Sequence, residues 1–195
     1  MLARANPKAM EYFDLSSDGF WKSFWAIAAM APAFLLWVFF NMHGQAVEIQ
    51  EGVTISYPLL SETIFFLIAL PFTAVVMVYF TKYMKISDHY ASMVIVYNWT
   101  SAIVYLIMAV ATVILLSGII STQISSIILL LLRVYFGFYV FWFIFKTSLQ
   151  VGGFLAFGVL LFIKLLDASV QVMIFKIFNP EYFNAIFNAI NSLPS

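Results

Sequence analysis

The chain contains no cysteine and only two histidines, and just 9% of its 195 residues are charged. The absence of cysteine excludes disulfides, thiolate metal sites and thiol nucleophiles. Soluble domains carry roughly 25% charged residues, so this chain has too few to cover a surface that faces water. Because 64% of the residues are hydrophobic and the mean hydropathy is +1.01, the composition predicts an integral membrane protein. The net charge of zero gives no reason to expect nucleic acid as a partner.

Long apolar runs make up most of the sequence. A membrane-spanning helix needs about 20 predominantly apolar residues, and five segments meet this requirement: 20–42, 60–81, 92–117, 125–145 and 149–174. The sequence therefore predicts an all-α integral membrane protein, a bundle of five transmembrane helices with a short interfacial C-terminal helix. The transmembrane domain covers residues 20–178, between a short cytoplasmic segment (1–19) and an amphipathic external tail (179–195).

Basic residues predict the orientation of the bundle, because cytoplasmic loops carry an excess of Lys and Arg. Two links contain neither residue type: "NMHGQAVEIQEGVTISYPLLSE" and "SGIISTQISS". Basic residues instead precede the first span and occupy the links between spans two and three and between spans four and five: Arg4, Lys8, Lys22, Lys82, Lys85 and Lys146. The sequence thus predicts a cytoplasmic N-terminus and an external C-terminus.

Two external segments are candidate partner surfaces. The stretch from Val47 to Tyr57 alternates apolar and polar residues around Glu51 and Gly52, which is typical of a hairpin with a two-residue turn. An irregular loop is the alternative.

The second candidate is the tail. Asn179 is a suitable cap for a helix that begins at Pro180, and one face of that helix presents three asparagines: Asn184, Asn188 and Asn191. This pattern predicts an interfacial helix on the outer surface, with a disordered tail as the alternative.

One charge interrupts the fourth apolar run, "IILLLLRVYFGFYVFWFIF". A guanidinium is effectively always charged, and placing Arg133 inside a membrane helix costs at least ~2.5–3.5 kcal/mol. Counting 1.5 Å per residue from Lys146 places Arg133 ~20 Å deep, and counting from residue 149 places Lys164 and Asp167 ~22–27 Å deep. These three residues and Gln171 therefore form a predicted intramembrane polar cluster near the outer boundary.

Within this cluster we expect Arg133 to pair with Asp167. Gly137 leaves a notch beside Arg133, and small residues let two helices approach closely. Lys164 is long enough to extend toward the outer interface. Two readings of the pair stay open: a clasp that only joins two helices, or a polar site in the outer half of the membrane. An ion or proton pathway across the whole membrane is disfavoured, because the inner half of the last two helices contains no acidic or polar residue to line it.

The sequence offers little for catalysis, and we expect no catalytic, cofactor-binding or metal-binding residues. His43 and His89 fall on opposite sides of the membrane, and no phosphate-binding glycine loop or hydrolase motif is present. The stretch "SDHY" (87–90) brings together a serine, an acid and an imidazole. A helix cap for the third span by Ser87 or Asp88 explains it with fewer assumptions than an active site does.

Three stretches resemble the Yip1-type membrane proteins, especially their short bacterial members: "DGFWKSFWA" (18–26), "KYMKISDHYASMVIVYNWTSAI" (82–103) and "FKTSLQVGGFLAFGVLLFIKLLD" (145–167). With the spans between them, the resemblance covers residues 14–176. It implies a five-helix bundle without known catalysis, in a bacterial inner membrane. Eukaryotic relatives bind small GTPases or one another in vesicle trafficking. The short cytoplasmic segment predicted here has no room for a GTPase-binding domain, so that role is not carried over.

These observations together predict a non-enzymatic membrane scaffold or accessory subunit. Its expected partners are other integral membrane proteins, a second copy of itself, and lipids. The alternative is a small transporter or channel subunit that uses the charged cluster in the outer leaflet. A third reading, an enzyme that uses the "SDHY" loop, has the least support from the sequence.

Overall fold

The computed structural model describes residues 7–44, 47–50, 53–55, 57–117 and 120–191. Five helical stretches within these ranges are long and apolar enough to cross a membrane: Ser17–Met42, Leu59–Tyr83, Ser87–Leu115, Gln123–Ser148 and Gly153–Phe178. We call them spans 1 to 5 in chain order. Each overlaps one of the predicted segments, so the prediction of five such helices is confirmed.

Several of the spans contain more than one element. Span 1 joins α1 (Ser17–Lys22) to α2 (Ala26–Gly44) through a 3₁₀ turn. In span 4 a π-helical segment (Tyr135–Val140) lies between α5 (Thr122–Val134) and α6 (Phe141–Ser148). The other helices are α3 (Leu59–Tyr83), α4 (Tyr90–Leu116), α7 (Gly153–Phe178) and α8 (Pro180–Asn191).

The spans form a ring in which α2 packs against α4, α4 against α6, α6 against α7, α7 against α3, and α3 against α2. Polar side chains join neighbours in this ring. The Asn98 amide nitrogen donates to the Ser23 hydroxyl at 2.9 Å, and the Trp142 indole donates to the Gly153 carbonyl at 2.8 Å. Such bonds contribute modestly, near ~0.6 kcal/mol each inside a membrane. They fix which helix faces are in contact.

The two ends of the ring differ. The hairpin end is the one at which two strands and α8 lie, and the N-terminal end is the one at which α1 begins. Side chains of α3, α4, α6 and α7 pack into a continuous apolar core toward the N-terminal end, and its members include Met77, Met93, Ile144, Phe145, Leu149, Ala156, Val159 and Leu160. The bundle is therefore filled with side chains in that half.

At the hairpin end, β1 (Val47–Gln50) pairs antiparallel with β2 (Val53–Ile55). The hairpin alternative predicted for this segment thus agrees with the structure, although Glu51 and Gly52 of the predicted turn lie outside the described residues. The predicted tail helix is also present as α8, which lies against β1 and the end of α7.

Asn179 serves α8 differently from what the sequence predicts. Its backbone carbonyl accepts from the Phe183 nitrogen at 3.0 Å, as at the start of a helix. Its side-chain oxygen instead accepts a hydrogen bond from the buried Ser61 hydroxyl at the start of α3. The side chain therefore ties span 2 to the start of α8.

Two links at the N-terminal end also depart from the prediction. No side-chain cap from Ser87 or Asp88 starts α4 in the described structure; a 3₁₀ turn over Ser87–His89 leads into it. Span 5 begins at Gly153, four residues later than predicted, because Gln150 takes up a left-handed conformation with φ of 54°. Gly152 then provides the extended residue that starts α7.

Candidate functional site

The hairpin half of the bundle contains two adjoining cavities of about 400 and 390 Å³. Six residues line both of them: Phe65, Phe66, Val104, Tyr105, Met108 and Arg133. We therefore treat them as one space, the bundle cavity. Its shallow part reaches Trp37, Glu62 and Gln171, and its deep part reaches Lys164 and Asp167.

Arg133, the last but one residue of α5, lines both parts of the bundle cavity. Its guanidinium carbon lies 5.9 Å from the centroid of the Trp37 ring on α2. A cation over an aromatic face gains ~0.5–2 kcal/mol, depending on how far it is removed from water. Arg133 thus extends from span 4 toward span 1, across the space that the other helices surround.

Asp167 and Lys164 lie in the deep part. The Thr73 hydroxyl of α3 donates to the Asp167 carboxylate at 3.4 Å, which is long for a hydroxyl–carboxylate hydrogen bond and therefore weak. The Lys164 ammonium lies 5.3 Å from the centroid of the Phe141 ring. Phe141 begins α6, so Lys164 contacts the middle of the bundle and does not extend to the outer interface as predicted.

The predicted ion pair between Arg133 and Asp167 is wrong. Neither residue has a salt bridge within the described part of the chain, where Lys22 pairs with Asp18 on the first span. Thr73 and Trp37 occupy the partner positions instead. The prediction failed because counting residues gives the height of a residue along its helix but not the direction in which its side chain points.

The prediction that Arg133 and Asp167 lie at one level agrees with the bounds of their helices. Arg133 lies eleven residues from Thr122, the first residue of α5, and Asp167 lies eleven from Phe178, the last of α7. Both are therefore ~16 Å from the hairpin end. The cluster lies nearer the middle of the bundle than predicted, because α7 begins at Gly153 and Lys164 is only ~16 Å from that start.

Gly137 has a different role from the one expected. A Cβ atom built on it would meet no atom within 4 Å, so Gly137 does not serve as a close contact point for a neighbouring helix on that side. It lies in the π-helical segment and lines the deep part of the cavity. Between Gly137 and the N-terminal end, α6 packs along α7. Between Gly137 and the hairpin end, α5 packs on α4 and makes no extended contact with α7 in the described structure. The described contacts therefore leave no packed seam between α5 and α7 beside the deep part of the bundle cavity, and we infer that the cavity opens sideways there.

Glu62 is the residue that sequence reasoning missed. It was counted with the external link, yet it lies in the first turn of α3 and lines the shallow part with Arg133 and Gln171. A signal was present: Glu62, Phe66, Ala69 and Thr73 recur at the spacing of one helix face. The first three line the bundle cavity, and the Thr73 hydroxyl donates to Asp167.

Tyr57, just before α3, lies within electrostatic range of Glu62. Burial raises the pKa of the Tyr57 phenol to about 12, and the negative charge of Glu62 acts in the same direction. The phenol is therefore neutral at physiological pH and adds no charge to this end of the cavity.

The predicted partner surfaces stand apart from the cavity. Asn184 and Asn188 of α8 are exposed, as expected for a polar face. Asn191 is the last residue of α8, and its side chain lies outside the described part of the structure.

The described residues contain no group of three or more His, Asp or Glu side chains placed to hold a metal ion. His43 and His89 lie at opposite ends of the bundle, as predicted, near the end of α2 and just before α4. Comparison with protein families, with characterised proteins and with solved structures returned no match to this chain.

Proposed function

We propose that the protein is a non-enzymatic membrane protein that binds a membrane lipid in the bundle cavity and acts as a scaffold or accessory subunit for other membrane proteins. One observation supports this most directly: packed side chains fill the bundle toward the N-terminal end, and α5 and α7 make no extended contact that would close the side of the cavity in the described structure. A space open to the side of a transmembrane bundle is reached from the bilayer.

The walls suit an amphipathic molecule. Aromatic and aliphatic side chains line most of the space, and a few charged and polar groups converge on it, which is the usual composition of a ligand site. The apolar walls would contact hydrocarbon, while Arg133, Glu62 and Gln171 would contact a headgroup. Lipid binding thus uses both halves of the lining.

A transporter or channel subunit is the second candidate, favoured by the charges in the bundle cavity. A conduit needs polar stations through the whole depth of the membrane. The apolar core around Ile144, Phe145 and Leu160 occupies the corresponding space toward the N-terminal end. We therefore place binding ahead of transport.

The proposal includes the family and the location expected from the sequence. A Yip1-type bundle without catalysis, in a bacterial inner membrane with a cytoplasmic N-terminus, is compatible with five spans and with a lipid or protein partner. The scaffold role would use the hairpin and the asparagine face of α8, where Asn184 and Asn188 are exposed.

A pair of glycines provides the test. Gly137 and Gly158 both lie within spans, and a Cβ atom added to either meets nothing within 4 Å, but only Gly137 lines the cavity. We expect Gly137→Phe to fill the lateral opening and lower the amount of lipid that co-purifies with the protein in mild detergent. The matched variant Gly158→Phe should retain as much lipid as the unmodified protein.

Native mass spectrometry of the three proteins measures the bound lipid. Equal retention by both variants would place any lipid outside the bundle cavity. A protein that retains no lipid after mild purification, and takes up none from added vesicles, would refute the proposed function.

A further inference from the structure

The bundle cavity contains two cations and two acids that do not neutralise one another in pairs across the space. Arg133 and Glu62 both line the shallow part, yet neither forms a salt bridge or side-chain hydrogen bond with another described residue. Charges inside a membrane are costly and usually pair or mark a ligand path. This arrangement therefore calls for an external partner.

Lys164 and Asp167 need that partner less. They lie three residues apart on one face of α7, a spacing at which opposite charges attract. Asp167 also accepts from Thr73. Arg133 and Glu62, in contrast, lie on different helices, so a ligand between α5 and α3 is the means of satisfying both.

We propose that the bundle cavity recognises the headgroup of a phospholipid that carries both a phosphate and a primary amine. This inference rests on the proposed lipid-binding function and names the chemistry of its ligand. Arg133 contacts the phosphate, because a planar guanidinium matches phosphate oxygens in a bidentate manner. Glu62 contacts the ammonium group.

The surroundings of each group fit these roles. Gln171 lines the shallow part and offers amide hydrogens to a phosphate. Trp37, Phe40 and Phe65 line the same part, and aromatic faces attract an ammonium group. The acyl chains leave through the opening between α5 and α7, beside Gly137.

The closing experiment compares three lipids with identical acyl chains: phosphatidylethanolamine, phosphatidylglycerol and diacylglycerol. The full-length purified protein is titrated with each in mixed detergent micelles, and bound lipid is measured by native mass spectrometry. We expect affinity to fall in that order, by about tenfold or more for loss of the phosphate, since a charge-assisted hydrogen bond is involved. Free glycerophosphoethanolamine should not displace the lipid at equal concentration.

Variants assign the roles. Arg133→Gln should remove the difference between phosphatidylglycerol and diacylglycerol, while Arg133→Lys, which keeps the charge but not the fork, should keep part of it. Glu62→Gln should remove the preference for the amine-bearing lipid alone. The controls Lys176→Gln and Glu181→Gln change exposed charges outside the cavity and should leave all three affinities unchanged.

Three results overturn this inference while leaving the proposed function intact. The first is equal affinity of the unmodified protein for all three lipids, and the second is lipid preferences that survive Arg133→Gln and Glu62→Gln. The third is displacement by free glycerophosphoethanolamine as effective as by the lipid, since the site would then take a soluble headgroup. Absence of any bound lipid is the separate result that removes the proposed function itself.

Discussion

At the scale of single residues, the cost of a charge depends on what it touches. Arg133 has an aromatic ring beside it and a cavity in front of it, where the sequence suggested a carboxylate. Asp167 has a threonine hydroxyl at 3.4 Å. The sequence correctly placed the two charges at one level, because residue spacing fixes height along a helix. It could not give the rotation of α5 and α7 about their axes, so the predicted contact failed.

The stability of variants distinguishes these two environments. Removing one partner of a buried ion pair costs ~3–5 kcal/mol, because the other charge stays buried. Arg133 instead contacts the Trp37 ring, a contact of ~0.5–2 kcal/mol. We therefore expect Arg133→Leu to lower the free energy of unfolding by no more than about 2 kcal/mol, measured by SDS titration in mixed micelles. Phe141→Leu, a change in the core nearby, should lower it about as much or more.

The double variant Arg133→Leu with Asp167→Leu completes the cycle. With no direct contact, the two changes should be close to additive. A loss of ~3–5 kcal/mol for either single change, recovered in the double variant, would show that the pair does form in the bilayer.

At the scale of elements, hydrophobic run length predicted the five spans, and alternation predicted the paired strands β1 and β2. The π-helical segment was not predictable, because the residue pattern of "YFGFYV" suits an α turn as well as a π turn. The segment separates two packing partners: α6 packs along α7, whereas α5 packs against α4. π-helical turns often occur at functional sites, and this one borders the lateral opening of the bundle cavity.

The contact between α8 and span 2 gives the second prediction. The Ser61 hydroxyl is buried and donates to the side chain of Asn179. A hydrogen bond of this kind contributes ~0.5–1.5 kcal/mol, and leaving one partner buried without the other costs more. We expect Ser61→Ala and Asn179→Ala each to lower the free energy of unfolding by about 1 kcal/mol, and the double variant to lower it by little more than one of them. Thermal unfolding monitored by circular dichroism measures all three.

Ser169→Ala is the matched control for this pair. The Ser169 hydroxyl is exposed and bonds to the Leu165 carbonyl of its own helix at 2.7 Å, so its removal should change stability by less than about 0.5 kcal/mol. Full additivity of the Ser61 and Asn179 changes would mean that α8 is attached to the bundle by other contacts.

At the scale of the whole molecule, composition and the lengths of the apolar runs predicted an apolar five-helix chain, but the cavity required the fold. A cavity depends on which faces meet and where two helices separate, and neither is encoded in the length of an apolar run. Glu62 illustrates this: in the sequence it ends a hydrophilic link, and in the structure it lines one cavity together with Arg133 and Gln171. The fold was thus largely predictable, and the composition of the candidate site only in part.

Orientation is the remaining property of the whole molecule, and the last prediction concerns it. Among the described residues, Lys176 is the one basic residue near the hairpin end, whereas five lie at the N-terminal end: Lys8, Lys22, Lys82, Lys85 and Lys146. The positive-inside rule then places the N-terminal end in the cytoplasm. Because the chain has no cysteine, single cysteines introduced at exposed, uncharged positions report on either end without background. Ser87 and Asn184 are such positions, at the N-terminal and hairpin ends respectively.

We expect Asn184→Cys to react with a membrane-impermeant maleimide in intact spheroplasts, and Ser87→Cys to react only after the membrane is permeabilised. Both substitutions leave the Lys and Arg distribution unchanged, so neither alters the charges that set orientation. Labelling of Ser87→Cys together with protection of Asn184→Cys would indicate the opposite orientation, with the hairpin end in the cytoplasm. In a five-span bundle, spans 3 to 5 separate Ser87 from Asn184, so the two positions lie on opposite sides. Reaction of both in intact spheroplasts would require an even number of membrane crossings between them. That outcome would contradict the insertion of at least one of spans 3 to 5, which are the helices that form most of the wall of the bundle cavity.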